Sequence, residues 1–209
     1  MSFGSYTSFG TSLATWLLNN NAATVTDVGV TMIGDLITVG ENRLFREART
    51  RDMEVAMSTA IGSGVIAVPS GYVAMKHAYV NTSPVQRLER RSAEWIYQAY
   101  PIRSSTGVPK FFARDATNFI FGPYPDSAYT VNCVYYKHLA ALTGSAANAL
   151  FTANPDLYLF ACLAEGDMVI GRDDRIKVWE AKYQKVLMQV NGEDLADGNS
   201  GSGLQMRVA

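Results

Sequence analysis

Residues Asn154 to Val190 carry two apolar helical stripes parted by one glycine, and this stretch limits the fold more than any other. Asn154 can cap a helix, Pro155 fits the first helical position, and Asp156 places negative charge in the first turn. Leu157, Phe160, Ala161, Ala164 and Met168 then recur at spacings of three and four, which predicts one apolar helix face. Gly171 breaks the run, and Asp173-Asp174 suits the start of a second helix. Ile176, Trp179, Tyr183, Val186, Leu187 and Val190 make the second stripe. So short a connection predicts an antiparallel hairpin. A hairpin with one apolar face needs partner helices, and the other strongly helical region lies near the N-terminus.

There, residues 1–10 are Ser, Gly, Tyr and Phe without a helical period, and read as an arm. Thr11 or Ser12 caps a short helix with Leu13, Trp16 and Leu17, and Asn19-Asn20-Asn21 ends it. A longer helix follows Thr24 and Thr26, with Val28, Met32, Leu36, Val39 and Leu44 roughly on one face, and runs to Arg49. From Asp52 to Leu142 the pattern turns extended. Val65–Val68, Tyr72–Val80, Val85–Leu88, Gly107–Arg114, Asn118–Gly122 and Tyr129–Tyr136 are the strand candidates, with Ser92–Tyr100 a short helix among them. Short strands between turn signals suggest a small sandwich or barrel. The expected fold class is therefore α+β: an antiparallel helical bundle (11–51 and 146–192), an inserted small β-sandwich or barrel domain (52–145), an N-terminal arm (1–10) and an extended, flexible C-terminal arm (193–209).

Chemistry is sparse. The two histidines, His77 and His138, have no cysteine or carboxylate at ligand spacing, so no metal is expected. No nucleophile elbow, phosphate loop or dinucleotide fingerprint occurs, and Asp173-Asp174 and Asp194-Asp197 fall at helix ends. No catalytic residue and no cofactor is expected. Cys133 and Cys162 read as buried free thiols. A net charge of −1 argues against a general nucleic-acid binder. No apolar run reaches a membrane span, and Met1–Asn20 lacks the basic start of a signal peptide, so a product made and kept in the cytoplasm is expected. Arg43, Arg46, Arg49 and Arg51 crowd one helix end, as ordinary capping and solvation or as an interface patch for an acidic partner. Arg87-Leu-Glu-Arg-Arg is a second, solvated cluster. The Gly/Ser run from Gly198 to Gly203 precedes an apolar end, Leu204 to Ala209, in the manner of a linker and a docking peptide.

Five segments, in order, resemble the head–tail adaptor (connector) proteins of tailed bacteriophages. Ile37-Thr-Val-Gly-Glu-Asn-Arg-Leu-Phe-Arg-Glu is similar to the family's early helix. Ala67-Val-Pro-Ser-Gly-Tyr-Val is similar to its Leu-Pro-x-x-Phe-type strand start. Gly107-Val-Pro-Lys-Phe-Phe, Ile120-Phe-Gly-Pro-Tyr-Pro-Asp and Tyr129–Tyr136 resemble its β-hairpin segment. Asn154-Pro-Asp-Leu-Tyr-Leu-Phe and Trp179–Leu187 resemble its closing hairpin. The resemblance covers roughly residues 25–190, departing in the glycine-rich helix and the loop Leu142–Asn154. It implies a structural virion protein of the neck. Such a protein forms a homo-oligomeric ring, usually a dodecamer, below the portal protein. DNA passes through it without sequence-specific binding, and tail or nozzle proteins attach to it. It also implies that the C-terminal arm binds the portal, through Leu204, Gln205, Met206, Arg207 and Val208. The alternatives are a tail-side terminator or stopper, and a small virion-associated hydrolase.

Overall fold

In the computed structural model the described residues are 5–18, 24–101, 106–144, 146–171 and 173–199. The fold is α+β. It divides into a helical unit, Met1–Asp52 with Leu139–Ala209, and a β unit, Met53–His138.

The helical unit is built around α6 (Pro155–Ile170). Its buried residues include Leu157, Tyr158, Leu159, Ala161, Cys162, Leu163, Ala164, Gly166 and Asp167, so nearly its whole circumference is covered. A helix apolar all round is a central helix, and α6 touches α1 (Tyr6–Leu18), α3 (Val30–Glu47), α5 (Ala149–Ala153) and α7 (Asp173–Asn199). The single stripe expected from the sequence understates this, and its last member, Met168, is 58% exposed. Gly171 ends α6 in the left-handed conformation (φ +76), which glycine adopts without a Cβ penalty. Helix α7 buries Trp179, Tyr183, Leu187 and Val190. The Trp179 ring stacks on Phe160 of α6 at 6.1 Å and meets Trp16 of α1 edge-on at 5.5 Å.

Three boundaries differ from expectation. Residues 5–10 are not an arm: α1 begins at Tyr6, and Phe9 is fully buried edge-to-face with Phe151, 5.1 Å away. The cap is Ser5, whose Oγ accepts the Ser8 N–H (3.2 Å) while Ser8 Oγ accepts the Ser5 N–H (3.1 Å). The long N-terminal helix is two. Helix α2 (Val25–Val28) stops at Gly29, which takes φ +106, and α3 follows. Its buried face is Ile33, Leu36, Ile37, Gly40, Glu41, Leu44 and Phe45, whereas Val39 is 44% exposed. Helix α7 continues to Asn199, so residues 193–199 are helical and not part of an extended arm. The chain passes through Gly192 because one interior glycine costs only about 1 kcal/mol. A Cβ there would meet nothing within 4 Å. Gly192→Ala is accordingly expected to stabilise the protein by about 0.5–1 kcal/mol in urea unfolding.

Among the described residues the β unit holds eight strands: β1 (Glu54–Ile61), β2 (Val65–Ala67), β3 (Tyr72–Val80), β4 (Gln86–Arg87), β5 (Glu89–Arg90), β6 (Phe111–Asp115), β7 (Asn118–Gly122) and β8 (Tyr129–Lys137). They form two four-stranded sheets, in the orders β1-β8-β3-β4 and β2-β7-β6-β5. Both contribute to one core, with Ile61, Val80, Val131 and Cys133 from the first and Ile66, Phe112, Phe119 and Phe121 from the second. Leu88 explains why Val85–Leu88 is not a single strand. Its side chain enters that core while the chain leaves β4 for β5 in the other sheet. Helix α4 (Ala93–Ala99) is capped by Ser92 Oγ, which accepts the Trp95 N–H at 3.2 Å, and packs Ile96 on Ala113 and Ile120.

Candidate interaction surfaces

The arginine cluster divides into interior and surface. Arg43 lies between α3, α6 and α7 with its side chain 15% exposed. Its Nη2 donates to both oxygens of Glu180 (2.6 and 2.8 Å), Nη1 to Glu165 (3.3 Å) and Nε to Glu47 (3.3 Å). The guanidinium also sits 4.4 Å over the Tyr183 ring, whose hydroxyl donates to Glu47 at 2.9 Å. Its hydrogen bond to Glu180 holds that carboxyl below the usual range, while burial and then Glu47 push the Tyr183 phenol up. Arg43 thus clamps three helices and is not part of an outward patch. Arg49 closes α3: its Nη1 donates to the Ala48 and Phe45 carbonyls, and its backbone N–H to Asn191 Oδ1 at 3.0 Å. Arg46 and Arg51 keep exposed side chains, so the expected patch shrinks to these two.

A second polar network is one the sequence reading missed. Glu41 is buried on the core face of α3, and its Oε1 accepts the Leu142 N–H (2.9 Å) and Asn148 Nδ2 (3.0 Å). Asn148 Nδ2 donates to the Ala140 carbonyl as well, and Asn148 Oδ1 accepts from the Phe151 N–H and the Tyr158 hydroxyl. The network pins the segment by which the chain returns from the β unit. Burial raises the pKa of Glu41 and pushes the Tyr158 phenol and the Cys162 thiol up. A third knot lies under the hairpin turn. Fully buried Asp167 accepts Trp179 Nε1 (2.7 Å) on one oxygen, which is also ion-paired with Arg175 Nε at 3.2 Å. Arg175 also donates to the Trp16 carbonyl (2.8 Å) at the end of α1. A carboxylate at a core position of an apolar helix was the available signal for both Glu41 and Asp167.

These carboxylates are buried and hold the helical unit together. Among the described residues no group of His, Cys, Asp and Glu could hold a metal ion, and no helix is long and apolar enough to cross a membrane. The outward features are of a different kind. On the hairpin, Met168, Val169, Val178 and Met188 are exposed. On the β unit, β1 is a sheet edge eight residues long. The family model described as SU10 adaptor protein matches residues 5–207. The chain belongs to the SU10 adaptor protein family. Membership makes this adaptor a structural component of a bacteriophage particle, and the resemblance to head–tail adaptors extends over nearly the whole chain. No curated protein matches it. The adaptor's expected portal-binding residues, Leu204, Gln205, Met206, Arg207 and Val208, lie outside the described residues.

Proposed function

We propose that this adaptor joins head to tail. Copies form a ring below the portal, twelve in the virion. The ring extends the channel through which DNA passes without sequence-specific binding, and its far side is the platform for tail or nozzle proteins. Each subunit supplies a helical bundle with an inserted β-sandwich and an arm that reaches the portal through Leu204, Met206 and Val208, with Gln205 and Arg207 between them. The observation that carries this is the family match across residues 5–207. The exposed apolar residues on the hairpin support it, because a subunit that ends its life in a ring keeps part of its apolar surface for neighbours. A tethered arm adds a second grip whose effective concentration is set by its linker.

The test is mass by light scattering, for the purified chain alone and mixed with the portal ring of the same phage. A stoichiometric complex is expected, and deletion of residues 198–209 should abolish it. Full portal binding by the shortened chain would refute the arm's role. Capture by the tail tube instead of the portal would move the protein to the tail side of the neck.

A further inference from the structure

Most sheet ends in the β unit are blunted. Strands β4 and β5 have two residues each and β2 has three. Strand β3 carries register shifts between Tyr72 and Ala74 and between Met75 and His77. Strand β1 has none of these guards. It pairs with β8 in unbroken register, from Glu54 opposite Tyr136 to Ile61 opposite Tyr129. It has no proline, lysine or arginine, and its other edge pairs with no strand among the described residues. Ala56, Ser58 and Ala60 are exposed on one face; on the other, Val55 is 37% exposed beside Met57. A long edge without a bulge, and with no charge beyond Glu54 at its first position, is a template for strand addition.

We infer that this edge receives residues Leu204–Ala209 of a second copy of the chain as an added β-strand. Those residues, Leu-Gln-Met-Arg-Val-Ala, alternate apolar and polar with the period of a strand, and follow a Gly/Ser run. Six residues extend about 20 Å, which the eight-residue edge accommodates. Leu204, Met206 and Val208 then continue the apolar row of Val55 and Met57. The longer Gln205 and Arg207 lie over the small side chains of the other face. Arg207 also finds the strand's single charge, Glu54, which already accepts Lys76 Nζ at 2.5 Å and has carboxylate capacity for a second cation. Donor and acceptor are different surfaces, so the contact is heterologous, the kind that closes rings; this inference rests on the ring reading above. It gives the arm a seat before a portal is present, from which the portal displaces it.

The probe is a fluorescent peptide of residues 198–209, titrated into the full-length protein by anisotropy. Saturable binding is expected, strongest at protein concentrations low enough to leave neighbouring arms dissociated. Ala56→Lys and Ser58→Lys, exposed lysines of the kind that guard natural edges, should abolish it. Glu54→Lys should weaken it about fivefold, and a peptide with Arg207→Glu should recover binding to that variant. No binding, or binding indifferent to all three substitutions, overturns the inference. So does binding only after residues 200–209 are deleted, at every concentration, because each chain would then be occupying its own edge. Portal capture is scored separately. Its loss with peptide binding intact counts against the portal reading, and its survival with peptide binding absent counts against this one.

Discussion

Gly40→Leu is expected to destabilise the helical unit by more than about 3 kcal/mol, and Gly40→Ala by about 1–2 kcal/mol. At Gly40, α3 approaches α6 closely. A Cβ at this position would stand 2.7 Å from Cys162 Sγ and 3.2 Å from the Cys162 backbone nitrogen. The backbone nitrogen belongs to a helix buried on nearly every side, so it cannot give way alone. Alanine gains about 1 kcal/mol of helix propensity over glycine, and the overpacking must exceed that for the loss to appear. Urea unfolding measures the outcome, with Gly192→Ala as the opposing case where a Cβ meets open space. Combining Gly40→Ala with Cys162→Ala removes the nearest obstacle, so the pair should lose less than the sum of the two single changes. An unchanged midpoint for Gly40→Ala would mean the helices do not pack at this distance.

That close approach also explains why the sequence reading caught only part of the buried face of α3, with Leu36 and Leu44 on it as expected. Gly40 and Glu41 sit on the buried side, where an apolarity count puts nothing, while Val39 faces out. The hairpin was legible because its signals are local. Pro155 starts α6, Gly171 ends it, and Trp179, Tyr183, Leu187 and Val190 repeat at four, four and three. The start of α1 was hidden because its cap is a pair of serines in a run that otherwise reads as linker. Strand β1 escaped notice because Ala56, Ser58 and Ala60 contrast too weakly with the row of Val55, Met57, Thr59 and Ile61 to register as a strand. The arginine cluster shows the limit of reading by neighbourhood. Arg43 looks like a surface charge among its sequence neighbours, yet two of its partners, Glu165 and Glu180, lie 122 and 137 positions away. Strand addition at β1 needed both kinds of information, an alternation in the sequence and a free edge in the fold.

The other large effect should come from Glu41. Glu41→Ala leaves the Leu142 N–H and one donor of Asn148 buried without their acceptor. Each such orphan costs about 1–3 kcal/mol, so a loss of about 2–6 kcal/mol is expected at neutral pH. Glu41→Gln keeps an acceptor oxygen for both donors and removes a buried charge, so it should cost less than about 1 kcal/mol or nothing. The two variants also separate by pH. Burial raises the folded pKa of Glu41 above the ordinary 4.5. The folded state therefore binds this proton more tightly than the unfolded chain. Glu41's contribution to stability rises as pH falls from the raised value towards 4.5, is complete below it, and is lost again as pH climbs back through the folded value. Glu180 works the other way. Arg43 depresses its pKa, so its contribution is present above the ordinary carboxylate range and lost as pH falls through the depressed value. Tyr158 and Cys162, shifted upward beside Glu41, stay protonated throughout this window. Subtracting the Gln variant's stability from that of the wild type, pH by pH, should therefore leave a difference that favours the wild type increasingly from neutral pH towards 4.5. A flat difference would mean that Glu41 is not titrating from a buried site, and an alanine variant as stable as glutamine would mean that the return segment is held by its packing and not by this carboxylate.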